Sequence, residues 1–294
     1  MKLGVSSYSF SRAVAAGTLR FTDIPAKAKE MGFDVVEFST LKLPAGETPL
    51  SFAPKLREAC DRAGIAAANY TIGADFLNGS NGDWKAEAER LKSEVRTAKI
   101  LGAPGMRHDA TRGYLPAHQG PRGFDNALPA LAQGCRAVTE FAADLGIRTM
   151  VENHGFFCQD SARVEKLMNE VNHPNFGWLV DMGNFLCADE DPAQALGRAM
   201  PYAFHVHAKD FHVKSGGATP PGVGWFQSRG GNYLRGAIIG HGEVPIVQCL
   251  GIMKNAGYDG VLSIEFEGIE EPLKGIGMGL ANLRRFVQTV ASAK

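Results

Sequence analysis

The chain has 294 residues and a formal net charge of zero, because 31 Lys and Arg residues balance 31 Asp and Glu residues. This length suits one α/β barrel, which typically takes about 250 residues, or two smaller domains. The charge balance argues against a surface dedicated to nucleic acid or to an anionic membrane, because each of these requires a basic excess.

Five cysteines are scattered along the chain without a CxxC pair, which is typical of free thiols in a reducing compartment. The first residues lack the continuous apolar segment of a signal peptide, and no run of 18 apolar residues predicts a membrane span. We therefore expect a cytoplasmic protein without a membrane partner.

Short apolar runs with β character alternate with amphipathic stretches along the chain. The predicted strands are residues 3–7, 35–38, 66–70, 105–108, 149–152, 176–181, 203–207 and 261–265. The predicted helices are residues 22–32, 52–64, 84–102, 131–146, 161–171, 191–200, 244–257 and 273–290. Eight strands alternating with eight helices is the count of a (β/α)8 TIM barrel. A doubly wound open sheet is the alternative, but no GxGxxG follows the first strand.

We therefore predict one α/β domain over residues 1–294, because no linker or low-complexity region divides the chain. The segment 211–243 is long and rich in Gly, and its LRGAII string (234–239) has the character of a ninth strand. We predict instead an extended loop after strand seven, because long insertions in compact domains tend to be lids or binding loops.

Polar residues stand at the ends of five predicted strands, where the active sites of such barrels lie. They are His108, Glu152, Asp181, His207 and Glu265. Three carboxylates that converge on one rim would repel each other without a cation, and each is costly to bury unpaired. We therefore predict that Glu152, Asp181, His207 and Glu265 bind one divalent metal ion. This mostly oxygen donor set favours Mn²⁺, with Mg²⁺, Co²⁺ or Zn²⁺ as alternatives.

Other polar residues near these strand ends are candidates for substrate contacts. His108 is one of them. His154 either contacts the substrate or orients Glu152, and Asn184 either caps the segment that follows Asp181 or touches the substrate.

Two histidines on strand seven alternate on the same face, so either His205 or His207 could be the inward ligand. We prefer His207 because it ends the strand.

Six strings occur in a characteristic order along nearly the whole chain. They are MGFDVVEF (31–38), VENHG (151–155), VDMGN (180–184), HVHAKD (205–210), GHGEVP (240–245) and GYDGVLSIEFE (257–267). With them the sequence resembles the xylose-isomerase-like TIM-barrel superfamily, in particular its sugar phosphate isomerase/epimerase group. That group includes ketose 3-epimerases, hydroxypyruvate isomerase and inosose-processing enzymes. The resemblance implies metal ligands at Glu152, Asp181, His207 and Glu265, and it favours His207 over His205.

The sequence departs from the ketose 3-epimerases of that group at two positions. Those enzymes carry a His where this chain has Asn184, and an Arg in the region where this chain has HVKS (212–215). A plain ketohexose epimerase is therefore disfavoured. The string GVGWFQSRGGNYLRG (222–236) either places Trp225 or Arg229 over the site or makes a subunit contact.

The leading functional prediction is an isomerase or epimerase that removes a proton from a carbon α to a carbonyl of a sugar. Glu152 and Glu265 would face opposite sides of that carbon as catalytic base and acid, while the metal ion stabilises the enediolate. No clear phosphate cradle follows strands seven or eight, so we expect an unphosphorylated sugar or sugar derivative as the substrate.

Three alternatives remain open. The same site could eliminate from a 3-keto sugar, a keto-glycoside or an inosose, which would make the chain a lyase or dehydratase. A DNA-repair endonuclease family shares this barrel, but it would need more zinc ligands and a basic groove, so we expect no nucleic-acid partner. The chain could also be a sugar-binding barrel or the subunit of a two-component enzyme. Barrels of this group are often homo-oligomers.

Overall fold

A computed structural model describes residues 1–292 of the chain. Eight of its strands are parallel and belong to one closed barrel. They are β1 (Lys2–Ser6), β2 (Val35–Ser39), β3 (Ala66–Ile72), β4 (Gly105–His108), β5 (Arg148–Glu152), β6 (Phe176–Asp181), β7 (Ala203–Ala208) and β11 (Val261–Ile264). The barrel closes in the order β1-β11-β7-β6-β5-β4-β3-β2. Each strand coincides with a predicted strand to within two residues at either end, and the predicted (β/α)8 TIM barrel is confirmed.

Helices connect the strands and cover the outside of the barrel. They are α1 (Ser11–Ala15), α2 (Ile24–Met31), α3 (Pro49–Ala63), α4 (Trp84–Leu101), α5 (Phe124–Asp144), α6 (Ser161–Val171), α7 (Asn184–Cys187), α8 (Pro192–Ala199), α9 (Ile246–Asn255) and α10 (Pro272–Ser292). Within residues 1–292, no helix is long and apolar enough to cross a membrane.

The helix-end signals in the sequence correspond to left-handed glycines. Gly32 ends α2 with a φ of 90°, and Gly102 ends α4 with a φ of 80°. A side chain would be strained at such a φ, so glycine provides the sharp turn that returns the chain to the next strand.

The segment after β7 is not the extended loop that we predicted from the sequence. Within it, β8 (Asp210–Lys214), β9 (Phe226–Gln227) and β10 (Tyr233–Ala237) form an antiparallel sheet in the order β8-β10-β9. Leu234 of β10 packs with Phe211 and Cys187 in a small apolar cluster of their own. Pairing between β8 and β10 satisfies their backbone polar groups, and burial of the apolar cluster stabilises the sheet.

Asp210 joins this small sheet to the barrel. Its carboxylate accepts hydrogen bonds from the backbone N–H groups of Phe211, Gly240, Gly242 and Val244 over distances of 2.8–3.1 Å. A Cβ atom on Gly242 would lie 2.2 Å from Asp210 Oδ1, so only glycine allows the chain to approach this closely.

Alternation along the strands separates an apolar outer layer from a polar interior. Val36, Trp178 and Val206 are fully buried in the hydrophobic core. Glu37 directly follows Val36, and His207 directly follows Val206. These two polar residues hydrogen-bond each other across the inside of the barrel. All five cysteines are buried and free of disulfides, as the sequence predicted.

Candidate metal centre and active site

Four polar side chains converge at the carboxyl end of the barrel. Glu152 ends β5, Asp181 ends β6, His207 lies next to the end of β7, and Glu265 directly follows β11. Each offers one ligand atom, and these four atoms all lie within 4.8 Å of one another. The structure thus brings together the four residues that we predicted as metal ligands, and it places His207 rather than His205 among them.

Two atoms of this group lack hydrogen-bond partners although both are buried. His207 Nδ1 lies 3.6 Å from Asp181 Oδ2, 3.8 Å from Glu265 Oε2 and 4.0 Å from Glu152 Oε1. Neither His207 Nδ1 nor Asp181 Oδ2 forms a hydrogen bond. An unsatisfied buried polar atom costs about 1–3 kcal/mol. One divalent ion held by these four residues would satisfy both atoms, so the donor set fits a metal ion.

The negative charge of the group raises the pKa of His207. Burial opposes this shift, but the carboxylates of Glu37, Glu265 and Asp181 outweigh it and hold the pKa well above its ordinary value. The position next to Nδ1 therefore demands positive charge, which either a proton or a metal ion supplies.

Lys209 is a buried cation that we did not predict as a site residue. Its Nζ lies 2.6 Å from Glu265 Oε2 and 3.3 Å from Glu267 Oε1. Burial lowers the pKa of Lys209, but Asp181 and Glu265 raise it more strongly, so the pKa stands well above its usual value. Lys209 lies 3.2 Å from Asp181 Oδ2 without the geometry of a hydrogen bond. The sequence offered one signal for this site residue, namely a lysine directly after the apolar-rich run HVHA (205–208).

The side chain of Asn184 connects the candidate ligand Glu152 to Lys209. Its side-chain amide donates to Glu152 Oε1 at 2.9 Å, and its Oδ1 accepts from Lys209 Nζ at 3.1 Å. Asp181 Oδ1, rather than the side chain of Asn184, accepts the N–H groups of Gly183 and Asn184 at the start of α7. Asn184 does not line the cavity described below, and its contacts are those of a residue that orients Glu152.

A series of charged side chains reaches Glu152 from the side of β4. Arg107 Nε lies 2.7 Å from Glu152 Oε2, and its Nη2 lies 2.7 Å from Asp109 Oδ1. Asp109 in turn bonds His154 Nδ1 at 2.9 Å. Burial raises the pKa of Asp109, but Arg107 and His154 lower it more strongly, so that the pKa is about 2. His154 lines the cavity and reaches Glu152 only through Asp109 and Arg107.

His108 lies on the other face of β4 and does not line the cavity. It is fully buried, and its ring packs edge-on against Phe76 at 5.8 Å between ring centroids. Burial lowers the pKa of His108 to about 4. Because successive side chains of a strand alternate in direction, the inward residue at this strand end is Arg107. Our choice of the last residue of the strand did not take this alternation into account.

Trp225 and Arg229, the two candidates from the segment 211–243 after β7, also lie outside the cavity. Trp225 packs against Arg235 and Lys214, at 5.4 and 5.7 Å from its ring centroid. Arg229 forms an ion pair with Asp160 at 2.9 Å. Neither side chain is placed over the metal centre, and the alternative role in a subunit contact stays a prediction.

A small polar cavity opens beside the four candidate ligands. It encloses about 230 Å³, and both Glu152 and Glu265 line it. Tyr8, Ser39 and Thr71, whose side chains carry hydroxyl groups, also line it. Drug-sized ligands occupy pockets of about 300–1,000 Å³, so this cavity suits a smaller molecule that is rich in hydrogen-bonding groups.

Comparison with known proteins identifies the family. The family model described as xylose isomerase-like TIM barrel matches residues 25–286. The chain belongs to this family. The resemblance drawn from the six sequence strings is thereby confirmed.

The chain is similar in sequence to inosose dehydratases over part of its length. Inosose dehydratase 1 of Bacillus cereus is 28% identical over 155 residues, which cover 47% of this chain and 46% of that protein. The chain thus spans about half the length of the curated relatives it matches.

Two solved structures share the fold of the chain. The 3-keto-D-glucoside 4-epimerase of E. coli superposes with a TM-score of 0.69 at 16% identity, covering 97% of this chain and 99% of its own. A xylose isomerase-like TIM barrel protein of Mycobacterium smegmatis in complex with magnesium has a TM-score of 0.69 at 17% identity, covering 92% and 88%.

Proposed function

We propose that this chain is a divalent-metal-dependent enzyme that removes a proton from the carbon next to the carbonyl group of an unphosphorylated sugar or sugar derivative. The observation that carries the proposal is the group of Glu152, Asp181, His207 and Glu265, two of whose buried atoms lack hydrogen-bond partners beside a small polar cavity. Three carboxylates and one imidazole favour Mn²⁺, and Mg²⁺, Co²⁺ or Zn²⁺ are the alternatives.

The metal ion, when bound, polarises the carbonyl oxygen of the substrate and stabilises the negative charge that develops there. Glu152 is the proposed base. Burial raises the pKa of its carboxyl above the ordinary value, although Arg107 and His207 lower it in part. An ionised carboxylate with a raised pKa is a stronger base. Glu265, which also lines the cavity, is the proposed group that returns the proton.

The final position of the proton determines the reaction. Return to the same carbon from the opposite side gives an epimerase, and return to the neighbouring carbon gives an aldose–ketose isomerase. Arg107 and Asn184, which hold the two oxygens of Glu152, keep this carboxylate in place during the transfer.

The second candidate is a lyase that eliminates water or an alcohol from an inosose, a 3-keto sugar or a keto-glycoside. The observation that favours it is the sequence similarity to inosose dehydratase. Elimination needs a proton donor for the leaving oxygen, and Tyr8 lines the cavity. The carboxylate of Glu267 and burial raise the pKa of Tyr8, so that its hydroxyl stays protonated and able to donate.

Incubation in D₂O tests the proposal. The Mn²⁺-loaded protein is incubated with an inosose, a 3-keto-glucoside and ketohexoses, and products are followed by NMR and mass spectrometry. Deuterium on the carbon next to the carbonyl supports proton abstraction, whereas turnover to a saturated product without any deuterium incorporation refutes it. An unsaturated product identifies the lyase, and an isomer of the same mass apart from deuterium identifies the isomerase or epimerase.

A further inference from the structure

Glu37 is a fully buried carboxylate beside the candidate metal centre, and we did not predict it as a site residue. It lies in the middle of β2, and no part of it is exposed. Its two carboxylate oxygens lie 3.0 and 3.1 Å from His207 Nε2. This pair joins residues that are 170 positions apart in the chain.

The contact with Glu37 determines which nitrogen of His207 faces the other ligands. An ionised carboxylate only accepts hydrogen bonds, so His207 Nε2 carries the hydrogen that the pair shares. A histidine that binds a metal ion is neutral, so with the hydrogen on Nε2 its Nδ1 is the free donor atom. In His207 this Nδ1 is the buried atom that faces Asp181 Oδ2 at 3.6 Å without a hydrogen-bond partner. A metal-binding histidine commonly donates its other N–H to a carboxylate in this way.

Glu37, His205 and His207 also form a compact group that is capable of holding a metal ion by themselves. Their atoms, however, already have partners. His205 Nε2 lies 3.1 Å from Glu37 and 2.9 Å from Ser263 Oγ, and Asn69 donates to Glu37 Oε2 at 3.4 Å. The unsatisfied atoms lie on the opposite side of the His207 ring, among Glu152, Asp181 and Glu265.

A buried carboxylate is a costly choice for a purely structural position. Burial of an ion costs several kcal/mol, and an apolar residue of similar volume is often equally stable. The neighbours of Glu37 in β2 are apolar, namely Val36 and Phe38. The charge at Glu37 therefore calls for an explanation beyond filling the barrel.

We propose that Glu37 is a positioning residue for the metal centre. It holds His207 with the hydrogen on Nε2, directs Nδ1 towards the candidate ligands, and strengthens this nitrogen as a donor to the metal ion. The inference rests on the proposed function, because it requires that His207 binds a metal ion.

The first test compares the metal affinity of wild type with that of Glu37→Gln. This variant keeps the shape of the side chain and removes its charge. Titration with Mn²⁺ is followed by the electron paramagnetic resonance signal of the free ion. We expect the dissociation constant to rise about 10–100-fold, as for other partners of metal-binding histidines.

Glu87→Gln is the matched control. Glu87 is likewise a buried carboxylate, 3% exposed, but it pairs with Arg90 on α4 and contacts none of the candidate ligands. Its loss should leave Mn²⁺ affinity unchanged. A folded Glu37→Gln protein that binds Mn²⁺ as tightly as wild type overturns the inference and leaves the metal-dependent function standing. Wild type that binds no divalent ion overturns both.

The second test needs no variant, and so it does not depend on whether Glu37→Gln folds. The wild-type protein is labelled with ¹⁵N in histidine, and the nitrogen shifts are measured with and without Mg²⁺. We expect His207 to carry its hydrogen on Nε2 in the metal-loaded protein, with the Nδ1 signal changing when Mg²⁺ binds. A hydrogen on Nδ1 in the loaded protein would refute the proposed role of Glu37.

Discussion

Replacement of Lys209 by Met is expected to destabilise the metal-free protein and to tighten its binding of Mn²⁺. The ammonium lies 2.6 Å from Glu265 and 3.2 Å from Asp181, and the residue is only 2% exposed. A third carboxylate, that of Glu267, lies at 3.3 Å. Met retains most of the length of the side chain, so the variant removes the shared cation and leaves the carboxylates in place.

The size of the effect follows from these distances. At 2.6 Å and an effective dielectric constant of about 20, the attraction between Lys209 and Glu265 alone is about 6 kcal/mol. The cost of desolvating both charges offsets much of this, and removal of one partner from a buried ion pair typically costs about 3–5 kcal/mol. One kcal/mol corresponds to about 2–4 °C in Tm for a domain of some 200 residues, so we expect a loss of roughly 10 °C.

The assay is thermal unfolding in EDTA and again with excess Mn²⁺, followed by circular dichroism. A bound divalent ion supplies the charge that Lys209→Met lacks, so Mn²⁺ should stabilise the variant more than it stabilises wild type. The control is Lys166→Met, which breaks the exposed pair with Asp125 and should cost less than about 1 kcal/mol. A Lys209→Met protein that melts at the wild-type temperature in EDTA would show that Lys209 does not stabilise this group of carboxylates.

Three further outcomes are expected. Removal of the metal ion with EDTA should abolish turnover, and Mn²⁺ should restore it; full activity in the chelated protein would contradict the proposed chemistry. Asp210→Asn should lower the free energy of unfolding by about 3 kcal/mol in urea, because its four backbone donors lose a charged acceptor. Burial lowers the pKa of His154, but Asp109 raises it more, so the net shift is upward. The stability that this pair contributes is present below the unfolded pKa of about 6.5 and is lost as pH rises through the folded pKa. His154→Gln should therefore cost more stability at pH 6 than at pH 9, and an equal cost at both values would refute this assignment.

The sequence predicted the barrel and its candidate ligands because both depend on local patterns. A short apolar run that ends in an acidic residue, as at Glu152 and Asp181, predicts both a buried strand and a carboxylate at the carboxyl end of the barrel. The same rule selected His108, although Arg107 is the inward residue, because the rule takes the last residue of a strand without considering which face it occupies. A shift of one residue exchanges the two faces of a strand.

The partners of the ligands could not be predicted in this way. Glu37 meets His207 across the barrel, and Lys209, directly after β7, meets Glu265, directly after β11. These contacts depend on how the strands pair rather than on spacing along the chain. The prediction of an extended loop over residues 211–243 was wrong for a similar reason. The pairing of β8 with β10 joins segments that a long Gly-rich stretch separates, and single-strand patterns carry little information about such pairing.

The interior of the barrel carries far more negative charge than the neutral chain as a whole. Its carboxylates are Glu37, Asp109, Glu152, Asp181, Glu265 and Glu267, whereas its buried permanent cations are Arg107 and Lys209. This excess has a cost that is visible at Glu152. Because burial raises the pKa of its carboxyl, the ionised form is less favourable in the folded than in the unfolded protein. This destabilisation is present at pH values above the folded pKa and disappears below the unfolded pKa of about 4.3.

Glu152→Gln should therefore stabilise the metal-free protein at neutral pH while it weakens Mn²⁺ binding and proton exchange. The amide oxygen still accepts the hydrogen bond from Asn184, which lies 2.9 Å from Glu152 Oε1, while the charge and the ion pair with Arg107 Nε at 2.7 Å are lost. Loss of a general base typically lowers the rate about 10²–10⁴-fold. Thermal melts in EDTA and deuterium exchange with Mn²⁺ measure the two effects on the same preparations. A variant that is less stable than wild type in EDTA would show that Arg107 already compensates Glu152 fully, and the excess charge would then not be what makes this site require a metal ion.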